Sequence, residues 1–237
     1  MLPKVEVPTY ELTLPSTDKK IKYRPFLVKE EKILFMALES KDNNEMITAI
    51  KEIIKSCTFD GINTDTTPLF DIEYIFLNIR AKSVGEVAKF KVICPDDGVT
   101  YTEVEVDMTK VEVHVDDEHT NKILIDQDKN LGLVLTYPTL NVYKLGENME
   151  NATIETMFNV LINCIDHVFQ GDKIYSSKDF TKEEIKEFLE NLPQDSFSKI
   201  KKFFDTMPRL KSVVEVINPK TNVKSNVTFT GLADFFG

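Results

Sequence analysis

Cys94-Pro95-Asp96-Asp97-Gly98 is the segment whose residue types come nearest to a metal site. A cysteine followed by proline and a glycine turn begins half of a zinc ribbon, where a second thiolate completes the pair. Here that second position is Asp97, a hard oxygen ligand. A structural zinc site needs four soft or borderline ligands within tetrahedral reach, and this hairpin offers Cys94 alone. Assembling one would require His114 or His119 together with Cys94 and carboxylates. The favoured reading is a plain β-hairpin, with a degenerate knuckle at Cys94 and Asp97 and no cofactor or metal.

The same order of residues occurs a second time. "VVEVINPKTNVKSNVTFT" follows "KFKVICPDDGVTYTEVEV" at an offset of 124 residues, placing Val216, Ile217, Pro219 and Val223 on Val92, Ile93, Pro95 and Val99. The cysteine has become Asn218, so turn chemistry alone must make the second hairpin.

Other candidate chemistry is weaker. Cys164 and His167 are spaced i, i+3 on an expected helix and are read as a core cysteine beside a half-exposed histidine. "DQDKNLG" from Asp126 starts like a calcium loop, then has Leu131 where glycine belongs and Tyr137 where glutamate belongs; it is read as a solvated turn. S-x-x-K matches such as Ser16 to Lys19 and Ser196 to Lys199 are too short to be specific. The chain contains no G-x-S-x-G, H-E-x-x-H or G-x-x-x-x-G-K motif, so it is not expected to be an enzyme.

The elements that would position these residues follow from periodicity. "YELTLP" and "KIKYRPF" alternate around the turn "STDK", which makes an N-terminal hairpin. Three helices follow, through "VKEEKILFMALES", "DNNEMITAIKEIIKSC" and "PLFDIEYIFLNIRAKS", with Cys57 on an apolar stripe and Pro68 opening the third. From Gly85 the period becomes two. Val104 and Val106 face opposite to Glu103 and Glu105, and Val111, Val113 and Val115 repeat the alternation, which predicts a small antiparallel sheet with one wet face. Helices return in "IETMFNVLINCIDHVF", in "TKEEIKEFLENL" with Thr181 and Glu184 in capping-box spacing, and in "DSFSKIKKFFDTM". The whole reads as a single α+β unit over residues 1–237, with an inserted acidic β-rich region at 85–145. A C-terminal hairpin and short apolar tail at 211–237 close it.

Composition narrows the class of function. The chain has 237 residues and a net charge of −10. Residues 85–131 carry twelve acidic and five basic side chains, whereas residues 1–57 carry nine and ten. An acidic chain without a basic arm repels phosphate, so no nucleic-acid partner is expected. No apolar run is long enough to cross a bilayer, and "MLPKVEVPTYELTLP" lacks the basic-then-apolar order of a signal peptide, so no membrane partner and a cytosolic site of synthesis are expected. Three distant cysteines, at 57, 94 and 164, do not make a disulfide framework.

Five stretches together resemble the baseplate hub assembly proteins of T-even-type contractile-tailed bacteriophages. They are "LPSTDKKIKYRPFLVKEEKILFMALES", "FDIEYIFLNIRAKSVGE", "NLGLVLTYPTL", "FFDTMPRLKSVVEV" and "GLADFFG". The resemblance covers nearly the whole chain. Members of that family often carry C-x-x-C pairs in the two hairpins; this sequence keeps Cys94 only, and Asn218-Pro219-Lys220-Thr221 keeps none.

The resemblance implies a non-enzymatic protein that binds phage baseplate hub proteins during tail morphogenesis. It would act in the host cytoplasm during assembly, with the virion baseplate as its other location. A permanent structural subunit of the virion hub is the alternative, and a metal-dependent adaptor or enzyme the second alternative. Lys199, Lys201, Lys202, Arg209 and Lys211 concentrate positive charge in an acidic chain and are the candidate partner-binding residues. Leu232, Phe235 and Phe236 fall on one face of a helical turn and are expected to tuck into the protein's own core.

Overall fold

The structure, a computed structural model, describes residues 5–143 and 154–236. Along the chain, β1 (Tyr10–Thr13) and β2 (Lys20–Tyr23) precede α1 (Val28–Ser40), α2 (Asn43–Cys57) and α3 (Leu69–Val84). Then come β3 (Val87–Ile93), β4 (Tyr101–Asp107), a 3-10 turn at Met108–Lys110 and β5 (Glu112–His114). β6 (Lys122–Asp126), β7 (Leu131–Leu135), α4 (Leu140–Tyr143), α5 (Ile154–Cys164), β8 (Ile165–Gln170) and β9 (Lys173–Ser176) follow. The chain ends with α6 (Lys182–Glu190), α7 (Gln194–Thr206), β10 (Arg209–Ile217), β11 (Lys224–Thr230) and α8 (Gly231–Phe236). The α+β class expected from the periodicities is the one observed.

Two compact units divide the chain, residues 1–114 with 209–237 and residues 115–208. These boundaries differ from the inserted region 85–145 that the change of period suggested. Alternation shows that a segment is a strand, but pairing decides where it belongs. Among the described residues β3 pairs with β4 alone, whereas β5 joins β10 and β11, with Leu210 opposite Val113 and Arg209 opposite His114. The first unit therefore keeps these strands, and β6 and β7 fall in the second.

In the first unit the N-terminal hairpin has Tyr10 opposite Tyr23, as its alternation requires. α3 is apolar nearly all round: Phe70, Ile72, Ile75, Phe76, Leu77, Ile79 and Ala81 are buried. Such a helix must be covered on every side. Leu77 and Ala81 meet Val104, Val106, Met108, Val111, Leu210, Val216, Phe229 and Phe235 in one cluster. Val104 and Val106 turn inward and Glu103 and Glu105 outward, as expected, while Val115 lies beyond the end of β5 and is exposed.

Three polar contacts fix what surrounds α3. Asp71, in its first turn, accepts the Ser16 amide at 3.1 Å and the Ser16 hydroxyl, which ties down the hairpin turn. Glu30 is 2% exposed and pairs with Arg24 at 2.9 Å, while the Leu27 amide and the Ser56 hydroxyl donate to it at 2.8 Å each. Burial alone would raise its carboxyl; the Arg24 guanidinium and the Leu27 and Ser56 donors overcome that and hold it at about 2. At the other end of the unit, Glu73 accepts the Leu232 amide at 3.1 Å and so caps α8. Gly231 has φ +66°, and a Cβ there would sit 3.2 Å from a Glu73 oxygen, so the close cap requires glycine.

The second unit is an antiparallel sheet in the order β6-β7-β8-β9, packed by α5, α6 and α7. Thr181 and Glu184 form the expected capping box: the Thr181 amide donates to Glu184 at 2.8 Å, and the Glu184 amide to the Thr181 hydroxyl at 3.2 Å. One expectation is corrected. The helix read through Phe169 stops at Cys164, and Ile165–Gln170 is a central strand paired with β7 and β9. Ile165, Val168 and Phe169 satisfy both periods, and non-local pairing wins over the helical stripe. The missed signal was Gly171-Asp172, a two-residue turn that puts Gln170 opposite Lys173.

The apolar tail is placed as expected. Phe235 is fully buried, its ring centroid 5.7 Å from that of Phe229 and 6.5 Å from that of Phe90. The Phe236 side chain lies outside the described residues. Phe235→Ala should cost about 3–5 kcal/mol, read by denaturant unfolding. Parent-like stability together with failure to support tail assembly would identify the tail as a docking element instead.

Candidate functional site

The two hairpins that the sequence pairs by analogy meet in space. In the first, the Cys94 amide donates to the Thr100 carbonyl at 2.7 Å and the Gly98 amide returns to the Cys94 carbonyl at 3.0 Å. In the second, the Asn218 amide donates to Val223 at 3.0 Å and the Asn222 amide to Asn218 at 2.9 Å. Gly98 at φ +67° and Asn222 at φ +59° occupy the same left-handed position of the two turns. These residue types are the ones that tolerate it, which is why the shape survives without shared cysteines.

Four side chains stand where a zinc ribbon would place its thiolates: Cys94, Asp97, Asn218 and Thr221. Each of the last three makes hydrogen bonds of its own. Asp97 accepts the Val99 and Thr100 amides at 3.0 and 2.9 Å and the Thr100 hydroxyl at 2.6 Å. Asn218, fully buried, accepts the Lys220 amide at 2.8 Å through its side-chain oxygen. Its amide nitrogen reaches across to Asp96 at 3.0 and 3.1 Å, and the Thr221 hydroxyl donates to Asp96 at 2.6 Å.

Asp96 thus joins hairpin to hairpin through neutral donors. A thiol, a carboxylate, a carboxamide and a hydroxyl do not fit zinc, whose structural sites take thiolates and imidazoles. The residues here satisfy one another instead. Among the described residues no group of three or more His, Cys, Asp and Glu could hold a metal ion.

The electrostatics agree with that reading. The Thr221 hydroxyl and the Asn218 amide hold the Asp96 carboxyl below its ordinary range. The Thr100 hydroxyl and amide and the Val99 amide do the same for Asp97. Cys94 is buried; desolvation, then the Asp96 and Asp97 charges, push its thiol up. Burial pushes Cys57 up to about 11 and Cys164 up to about 12, so neither is primed as a nucleophile.

The remaining sequence candidates are dispersed. His167 lies on β8, not on a helix with Cys164, and its Nδ1 contacts Asp166 at 2.7 Å. Asp126 accepts the Lys129 amide at 3.0 Å in the β6–β7 turn. Of the basic residues, Lys199 donates to the Leu124 carbonyl at 2.9 Å and Lys202 pairs with Glu118, both within the second unit. Lys201 is exposed on α7; Arg209 and Lys211 are exposed on β10, in the first unit.

Sequence reasoning missed two groups. The cross-hairpin contact of Asp96 is one. The other is the setting of His119, which the sequence offered only as a conceivable zinc ligand: its ring nitrogens face the Thr206 hydroxyl at 3.0 Å and the Tyr137 hydroxyl at 3.1 Å beside the Phe203 ring.

A family model described as T4 bacteriophage base plate protein matches residues 7–237. No curated protein and no solved structure matches the chain.

Two outcomes are expected of the paired hairpins. Chelator treatment should leave the melting temperature unchanged; stoichiometric zinc whose removal lowers it would overturn the hydrogen-bonded reading. Asp96→Ala should melt several degrees below the parent at neutral pH. Because the folded carboxyl is held below its unfolded value, its contribution is complete above about pH 4 and is lost as the pH falls further. The gap between parent and variant should therefore narrow in acid, and a gap independent of pH would refute the assignment.

Proposed function

Because this chain belongs to the family of T4 bacteriophage base plate proteins, we propose that it is a non-enzymatic hub assembly protein, binding hub subunits while the phage tail is built. The observation that carries the reading is the span of the family match, residues 7–237, over a fold whose described polar clusters hold the chain together. The raised thiols of Cys57, Cys94 and Cys164, and the Asp96 and Asp97 carboxylates held by hydroxyl and amide donors, support that reading. Among the described residues no helix is long and apolar enough to cross a membrane.

An assembly protein works by differential binding: it holds the unfinished state more tightly than the finished one and leaves when the next subunit arrives. Its working place is then the host cytoplasm, with contacts to hub components only. Exposed cations such as Lys201 on α7 and Lys211 on β10 would steer acidic partners, each from its own unit.

Quantitative mass spectrometry of purified particles tests the reading. The chain should be present in assembling tails and absent, or far below one copy per hub position, in mature particles. A fixed integral copy number in mature particles would make it a permanent structural subunit instead.

A further inference from the structure

α1 and α2 pack side by side, and the groove between them has an apolar floor and an acidic edge. Ile33, Met36 and Ala37 line it from α1, and Ala49 from α2, around a space of about 320 Å³. Met36 is 59% exposed. Along the α2 edge stand Glu45 and Glu52, two turns apart, which is roughly 10 Å along the axis. Of the α2 cations, Lys51 pairs with Asp65 and Lys55 with Asp60 at 3.7 Å. Asn44 and Thr48 also line the groove, and the Thr48 hydroxyl donates to the Asn44 carbonyl at 2.8 Å.

Each feature restricts the occupant. Converging polar groups mark a small-molecule pocket, and here they are missing from the floor. The carboxylates repel phosphate, which disfavours nucleic acid and anionic lipid headgroups. An apolar trough edged by two charges at helical spacing matches a helix laid in a groove.

We infer that the α1–α2 groove receives a cationic amphipathic helix of a partner protein, its apolar residues on Met36 and Ala49 and its Lys or Arg side chains opposite Glu45 and Glu52. The inference relies on the proposed function only for the source of that helix, a baseplate component. Its recognition chemistry is charge complementarity along the edge and apolar burial on the floor.

The test uses the full chain and two synthetic peptides of one amphipathic helical pattern, one with lysines on its polar face and one with glutamates. Fluorescence anisotropy should show the lysine peptide binding, weakening as salt is raised, and the glutamate peptide not binding. Glu45→Lys with Glu52→Lys, and separately Met36→Lys, should each weaken the lysine peptide at least ten-fold. These side chains are exposed, so parent-like melting temperatures are expected. Equal loss on reversing the exposed Glu103 and Glu105 of β4 would show general attraction to an acidic protein and overturn the site. So would absence of binding.

A photo-cross-linking residue at position 48, introduced in infected cells, identifies the natural occupant by its cross-linked peptide. A basic amphipathic segment of another baseplate protein supports the inference; a second copy of this chain, or no cross-link, refutes it. Should particle analysis find a permanent subunit while the cross-link persists, only the assembly reading falls.

Discussion

A helix that is apolar nearly all round must be covered, and α3 is such a helix. Its neighbours follow from that requirement. α2 covers one side, while β10, the 3-10 turn at Met108 and α8 meet others, so elements far apart in sequence are drawn around one axis. Burying this much aliphatic and aromatic surface is the main stabilising contribution in the first unit. It also explains why the last residues described are structural: Phe235 completes the cover.

Enclosure by apolar contacts leaves orientation loose, and carboxylates remove that freedom. Asp71, Glu30, Glu73 and Asp96 each accept donors from another element or turn: Ser16, Arg24 with Ser56, the Leu232 amide, and Asn218 with Thr221. Asp71 and Glu30 are buried and Glu73 half-buried, where an unpaired carboxylate is costly; the exposed Asp96 acts through the direction of its hydrogen bonds alone. The paired hairpins extend the same logic to a place where a zinc ribbon would use an ion. There, directional hydrogen bonds from Asn218 and Thr221 to Asp96 join the two turns.

Local signals in the sequence were sufficient for much of this. α1, α2 and α3, the capping box at Thr181, the N-terminal hairpin and the buried Cys57 and Cys164 could all be read from spacing, because each depends on neighbours within a few positions. β8 could not, since Ile165–Gln170 has a helical stripe as well as a strand's composition and only its partners decide. The boundary between units failed for the same reason: nothing in Glu112–His114 announces that β10 is its partner. The resemblance of the two knuckles was legible at Pro95 and Pro219, but not the bond from Asn218 to Asp96, which joins residues at different offsets of the repeat. The groove on α1 and α2 was invisible because it belongs to neither helix alone.

His114 and Arg209 are directly opposite across an antiparallel ladder, so the chain leaves the first unit and returns to it at points roughly 5 Å apart. To the first unit, everything between them is topologically the loop of a hairpin. The entropy of closing a loop grows only with the logarithm of its length, so the size of the insert scarcely burdens the sheet that carries it. A change of length within residues 115–208 therefore adds little closure entropy to the pairing of β5 with β10. The junction behaves as a socket, and genetic recombination there would diversify what the protein presents while its frame stays constant.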